Sequence, residues 1–226
     1  MLEFPYFFWS LTMNPLFVTA TNTNVGKTYT TLKLIESFSK EGISVGVCKP
    51  IETGVITEPL DAKALLDTVK QYNSAFQDLT PRDITAYTFK LPAAPFCADK
   101  TQIIRIEKIK TKILELQKLC DLLIIEGAGG LMVPITKEYR MIDLAKDLNL
   151  KTLLVTPSKL GCINDTLLSM EALKKYDIPF DWCVNLFEDK HEFNEVTKPY
   201  YDAVFTHWWC LDKGIKSFTL KTIEES

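Results

Sequence analysis

The residues of this sequence best suited to chemistry sit where apolar runs end. The first group is Ala20-Thr21-Asn22-Thr23-Asn24-Val25-Gly26-Lys27-Thr28. It fits the pattern GxxxxGK[ST] except that Ala20 holds the place of the first glycine, a change that is harmless if Ala20 keeps a negative φ. Successive backbone N–H groups from Asn24 to Thr28 at the start of a helix can cradle phosphates. Lys27 would reach the β- and γ-phosphate oxygens and the Thr28 hydroxyl would ligate Mg²⁺. The second group is Lys49-Pro50-Ile51-Glu52-Thr53-Gly54. Pro50 and Gly54 shape a turn, and Lys49 can neutralise charge on a transferring phosphoryl group or on a substrate anion.

Two carboxylates complete the set. Asp61, after Pro59-Leu60 at a helix start, reads on sequence grounds as an N-cap. Glu126 ends the apolar run Leu122–Ile125, where a phosphate-loop protein places a magnesium-organising carboxylate. A buried Glu without a cation would be costly. The small residues after it, Gly127, Ala128 and Gly129, allow close backbone approach to a ligand.

These groups need a frame to position them. Short β-rich runs at Leu16–Ala20, Ser44–Lys49, Leu122–Glu126, Thr152–Thr156 and Trp182–Phe187 alternate with helical patterns at Lys27–Lys40, Asp61–Tyr72, Ile103–Leu119, Met141–Leu148 and Cys162–Tyr176. The strand runs are continuously apolar, as expected when helices cover both faces of a parallel sheet. The pattern predicts a three-layer α/β domain of the P-loop NTPase type with a mostly parallel central sheet. Ligands of such sheets lie at the carboxyl ends of the strands, where the motifs fall. No linker or repeat divides residues 1–226, so one domain is expected, with residues 1–12 as a peripheral extension or the product of an upstream start codon.

Composition narrows the function. Of 226 residues, 46% are hydrophobic and 24% charged, with a net charge of −3. That balance excludes a disordered chain. The absence of a basic block argues against nucleic acid as a partner. The longest apolar runs fall well short of the ~20 residues that span a bilayer, and the apolar leader has neither a basic start nor a small-residue cleavage site. Six scattered cysteines read as buried thiols rather than a disulfide framework or metal site, which suits a reducing cytoplasm. His191 and His207 are too few for a His-based triad.

Four blocks, TNTNVGKT, KPIETG, EGAGGLMVPIT and KLGCIND, in this order across roughly residues 16–187, make the chain resemble dethiobiotin synthetase. The resemblance implies a homodimer that converts 7,8-diaminononanoate, CO₂ and MgATP into dethiobiotin, ADP and phosphate through a carbamate. It assigns the triphosphate to Asn24, Val25, Gly26, Lys27, Thr28 and Tyr29. Thr28, Asp61 and Glu126 become magnesium ligands, and Asp61, Glu126, Gly127, Ala128 and Gly129 border the nucleotide. Lys49, with Lys27, becomes the catalytic lysine pair; Asn185 reads the base. Thr23 and Thr53 contact the substrate, and Gly161, Cys162, Ile163 and Asn164 hold its carboxylate across a subunit interface. The chain departs from the family pattern at Ala20 and at Asn24, where Glu is frequent. It departs again at Leu186, where Asp is common, and in a C-terminal segment without Gly-x-Ile-Pro. A loosely held base and acceptance of other nucleoside triphosphates are therefore expected. Cobyrinate- and cobyrate-amidating relatives carry a glutamine-hydrolysing domain for which this chain has no room. A ParA- or MinD-like switch ATPase would carry a further lysine among the positions of Thr21 to Asn24.

Overall fold

A computed structural model describes residues 13–187 and 190–226; the leader 1–12 lies outside the described residues. The elements, in order, are β1 (Leu16–Ala20), α1 (Lys27–Lys40), β2 (Val45–Cys48), β3 (Ile51–Thr53), α2 (Leu60–Val69), β4 (Tyr87–Phe89), α3 (Pro95–Ala98), α4 (Ile106–Gln117), β5 (Leu122–Gly130), α5 (Met141–Asp147), β6 (Lys151–Pro157), α6 (Cys162–Lys175), β7 (Phe180–Asn185), α7 (Lys190–Glu192), a π-helical turn (Phe193–Thr197), α8 (Lys198–Val204), β8 (Trp209–Cys210) and α9 (Leu211–Glu224).

Six strands form one parallel sheet in the order β2-β5-β1-β6-β7-β8. All of β1 and β2, and β5 from Leu122 to Gly127, are buried, because helices cover both faces and leave no solvent side on which to alternate polar residues. Helix α1 packs against α2 and α9, joined to α9 by Ser37 Oγ and Thr219 Oγ1 at 2.8 Å. Helices α4, α5 and α6 are linked by Lys110–Asp147 at 2.8 Å and by Arg140 with Tyr176. The sheet order places β1 between β5 and β6, so the chain leaves the centre in both directions and opens a crevice at the carboxyl end of β1.

The five expected strands are present, β1 with the expected ends and the other four with shifted ones. β5 runs on to Gly130 because Gly130 pairs with Ala20 after a register irregularity between Val18 and Ala20. A bulge of this kind bends the strand end beside the phosphate loop. β7 spans Phe180–Asn185 rather than Trp182–Phe187, α2 ends at Val69 and α4 starts at Ile106. Three elements are too short to carry a period in the sequence: β8 and the two three-residue strands β3 and β4, which pair in parallel as a separate small sheet. Helix α9 does repeat, with Leu211, Phe218 and Thr222 buried, and lies beyond the expected helices. The C-terminal segment packs through aromatic contacts, Trp182 lying 5.1 Å from Tyr201 and 4.8 Å from Phe205 between centroids.

All six cysteines are free thiols, and Cys48, Cys120, Cys162 and Cys183 are buried. Burial raises the Cys120 thiol to about 12. Among the described residues no helix is long and apolar enough to cross a membrane.

Candidate active site

The phosphate loop follows from its dihedrals. Ala20 closes β1 without entering the positive-φ region, so the missing glycine is accommodated. Asn24 stands at φ 58° and Gly26 at φ 90°; asparagine tolerates the left-handed region far better than most side chains. At Gly26 the constraint is doubled, since a Cβ there would lie 2.0 Å from Asn185 Nδ2. That amide donates to the Val25 carbonyl at 3.1 Å and fastens the end of β7 to the loop. Helix α1 begins at Lys27, so the N–H groups of its first turn have no acceptor within the helix.

Lys49 is the hub of the charged cluster. Its Nζ donates to Glu126 Oε1 at 2.5 Å and lies 3.1 Å from Asp61 Oδ2 and 3.4 Å from the Gly127 carbonyl. The Thr28 hydroxyl donates to the same Glu126 oxygen at 3.0 Å. Glu126 is 0% exposed, and its Oε2 has no hydrogen-bond partner among the described residues. Burial alone would lower the Lys49 ammonium, but the Glu126 and Asp61 carboxylates outweigh it and hold the group above its ordinary value. Lys27, buried and donating to the Asn22 carbonyl at 3.3 Å, is lowered to about 8, first by burial and then by the Lys49 charge.

Asp61 is not the helix cap. Helix α2 starts at Leu60 with Pro59 at the cap position, and the Asp61 and Ala62 amides donate instead to Glu52 at 3.1 and 2.9 Å. The Asp61 carboxylate is left free to face Lys49.

A cleft of about 690 Å³ gathers Thr23, Asn24, Gly26, Lys27, Thr28, Lys49, Thr53, Asp61, Ala128 and Gly129. Its remaining wall, absent from the sequence reading, is Ile51, Glu52, Pro92 to Pro95 and Val133. The proline pair in Leu91-Pro92-Ala93-Ala94-Pro95 was the available signal, since two prolines in five residues mark a stiff turn. At Gly127 packing also demands a bare backbone, because a Cβ there would meet the Phe17 ring at 3.0 Å. Tyr29 lies outside this cleft, in a neighbouring groove with Lys33, Leu211 and Asp212. Gly161 to Asn164 open α6 away from the cleft, and the Cys162 side chain faces inward, 3.6 Å from the Tyr201 hydroxyl.

The donor set suits a hard divalent cation. The Thr28 hydroxyl and the Asp61 and Glu126 carboxylates all offer oxygen ligands, and Glu126 Oε2 is a buried acceptor without a hydrogen bond among the described residues. Among the described residues no group of three or more His, Cys, Asp or Glu assembles. A Mg²⁺ ion, where one is bound by one or two carboxylates, completes its shell with phosphate and water.

A family profile described as an AAA domain matches residues 14–181. Over 206 residues the chain is 59% identical to ATP-dependent dethiobiotin synthetase BioD of Sulfurovum sp., covering 91% of this chain and 98% of that protein. The chain belongs to the dethiobiotin synthetase family. The synthetase of the same name from Wolinella succinogenes is 40% identical over 92% of this chain and 97% of its own length. Among solved structures, a GTPase from Pyrococcus abyssi superposes with a TM-score of 0.57 at 11% identity, covering 95% of this chain and 97% of its own. MinD in the MinC:MinD complex of Aquifex aeolicus gives 0.52 at 17%, covering 92% and 86%. These two share the fold, and the likeness carries no more than that. Family membership rests on the synthetases.

Proposed function

We propose that the chain catalyses the ATP-dependent carboxylation and ring closure of 7,8-diaminononanoate, acting as a cytoplasmic homodimer that releases dethiobiotin, ADP and phosphate. The observation that carries this reading is the buried Lys49 ammonium, set between Glu126 and Asp61 at the junction of the phosphate loop and a cleft walled by Ile51, Pro92, Pro95 and Val133. One end of the cleft suits polyphosphate and the other an aliphatic chain.

The chemistry needs no protein nucleophile. One substrate amine adds to CO₂ and loses a proton, giving a carbamate. A carbamate oxygen attacks the γ-phosphorus and ADP leaves. The second amine then attacks the carbonyl carbon of the mixed anhydride, the ring closes, and phosphate departs with the proton. Each step brings anionic oxygens together, so the protein's task is positioning and charge stabilisation. Lys49 faces the carbamate and the transferred phosphoryl group, and Lys27 the β/γ oxygens. The amides from Asn24 to Tyr29 hold the triphosphate, with Gly127, Ala128 and Gly129 beside it and Asn185 near the base. Thr23 and Thr53 contact the diamine. Thr28, Asp61 and Glu126 would hold Mg²⁺, which when bound neutralises charge on the β- and γ-phosphates.

Gly161, Cys162, Ile163 and Asn164 stand at the start of α6, apart from this cleft. Their backbone amides offer an anion site for the substrate carboxylate of the neighbouring subunit. The inward-facing Cys162 side chain supports a backbone role there.

Phosphate release by the purified protein with Mg²⁺, bicarbonate and ATP, measured with and without 7,8-diaminononanoate, tests the reading. Release that depends on the diamine is expected; release indifferent to it would move the weight to a switch ATPase of the same fold.

A further inference from the structure

We propose that Glu52 is a positioning residue: its carboxylate grips the first turn of α2 and thereby sets the Asp61 carboxylate against Lys49. The inference rests on the reading of Asp61 as a metal ligand given above. Glu52 is 7% exposed and sits in β3, three residues after Lys49. A carboxylate so buried needs partners, and here they are not a cation but two backbone amides. Oε1 accepts from Asp61 N at 3.1 Å and Oε2 from Ala62 N at 2.9 Å. The cap position of α2 is Pro59, which makes no side-chain cap hydrogen bond. Glu52 therefore supplies from upstream the acceptors that a local Ser, Thr, Asp or Asn normally supplies.

The consequence is a closed circuit. From Lys49 the chain runs through Pro50 into β3, where Glu52 lies in register with Thr88 of β4. Glu52 holds the amide of Asp61, and Asp61 Oδ2 returns to Lys49 Nζ at 3.1 Å. The Asp61 side chain is 47% exposed, so solvent does not restrain it. Its placement comes from the backbone that Glu52 holds. A local cap at position 59 would satisfy the helix equally well but would not tie it to the strand that leaves Lys49. Glu52 also lines the cleft.

The test compares wild type, Glu52→Gln and Asp61→Asn, each with a non-hydrolysable ATP analogue and Mn²⁺ as the probe, bound metal being read by electron paramagnetic resonance. Amide exchange at Asp61 and Ala62 is followed in parallel. A glutamine offers one acceptor and turns a donor toward the other amide. Glu52→Gln should therefore accelerate exchange at these two amides. Mn²⁺ half-saturation should rise roughly tenfold, as loss of an orienting partner behind a metal ligand does, with Asp61→Asn weakening Mn²⁺ at least as much. Should the Gln variant fail to fold, Glu52→Asp, which keeps the charge but is too short to span both amides, carries the same comparison. Wild-type Mn²⁺ binding in the folded Glu52 variant, with Asp61→Asn impaired, overturns the positioning role alone. Wild-type Mn²⁺ binding in Asp61→Asn overturns the metal assignment, and the proposal with it.

Discussion

Lys49→Met should both destabilise the protein and inactivate it, and a double-mutant cycle with Glu126→Gln should separate the two effects. The Lys49 ammonium and the Glu126 carboxylate meet at 2.5 Å with side chains 4% and 0% exposed. Methionine keeps most of the stem and removes the charge, stranding a carboxylate whose remaining donor among the described residues is the Thr28 hydroxyl. Breaking a buried pair from one side costs roughly 3–5 kcal/mol. The surviving Thr28 bond argues for the lower end, and the half-exposed Asp61 contact, screened by water, contributes little. At about 2–4 °C per kcal/mol for a chain of this size, the melting temperature should fall on the order of 10 °C. Glu126→Gln alone should also destabilise, since it removes the closest carboxylate from the buried ammonium, which keeps Asp61 and the Gly127 carbonyl. The double variant buries no unpaired charge, so it should be more stable than the sum of the single losses, by roughly 2 kcal/mol. Activity should not return with stability. Turnover should stay about a hundredfold or more below wild type in both chains that lack Lys49, because the charge facing the developing anion is gone. Urea unfolding followed by circular dichroism gives the first quantity, and diamine-dependent phosphate release the second. Single variants of wild-type stability, or losses that simply add, would refute the energetic account. An unchanged kcat in Lys49→Met with normal nucleotide binding would refute the catalytic one.

Three further outcomes follow from the same geometry. Burial and Lys49 hold Lys27 at about 8 in the free enzyme, so its charge is present below that value and lost above it; kcat/KM for ATP should decline as pH rises through about 8. Bound phosphates restore the charge, so calorimetry in buffers of different ionisation heats should show proton uptake on ATP binding above that pH and little near neutrality. Gly26→Ala meets both the φ of 90° and the Asn185 amide at 2.0 Å, so nucleotide affinity should fall about tenfold or more from backbone strain, and Asn185→Ala in that background should recover part of the loss by filter binding. GTP and CTP should support phosphate release with kcat/KM within about a hundredfold of ATP, because the C-terminal segment lacks the Gly-x-Ile-Pro stretch of the family pattern; strict ATP preference in competition assays would overturn this.

What could be read from the sequence, and what could not, divides along one physical line. Residues that end long apolar strands were legible, because a strand buried on both faces announces itself without reference to its neighbours. Lys49 and Glu126 are of this kind, and Thr28 is placed by the loop that leaves β1 and opens α1. The small strands β3 and β4 are three residues each, too short to show a period, and β8 is shorter still. Their existence depends on pairing, which no local pattern encodes. The wall from Pro92 to Pro95 belongs to the same class.

Asp61 and Glu52 show why the distinction matters for function. From sequence, an acidic residue just after Pro-Leu at a helix start reads as a cap, since that is the commonest service of such a residue. The reading fails because the cap is delivered by Glu52 across a turn, nine residues upstream of Asp61. With the two amides satisfied from the cleft side, the Asp61 carboxylate has no local partner to satisfy and can serve the charge cluster. The same logic holds at Asn185, 160 residues from the Val25 carbonyl that it bonds. Its contact explains why position 26 must lack a Cβ, a requirement that the GxxxxGK[ST] pattern records without its reason. In both cases the candidate site residue is found by local pattern, while the residue that frees or holds it is found only once the chain has folded.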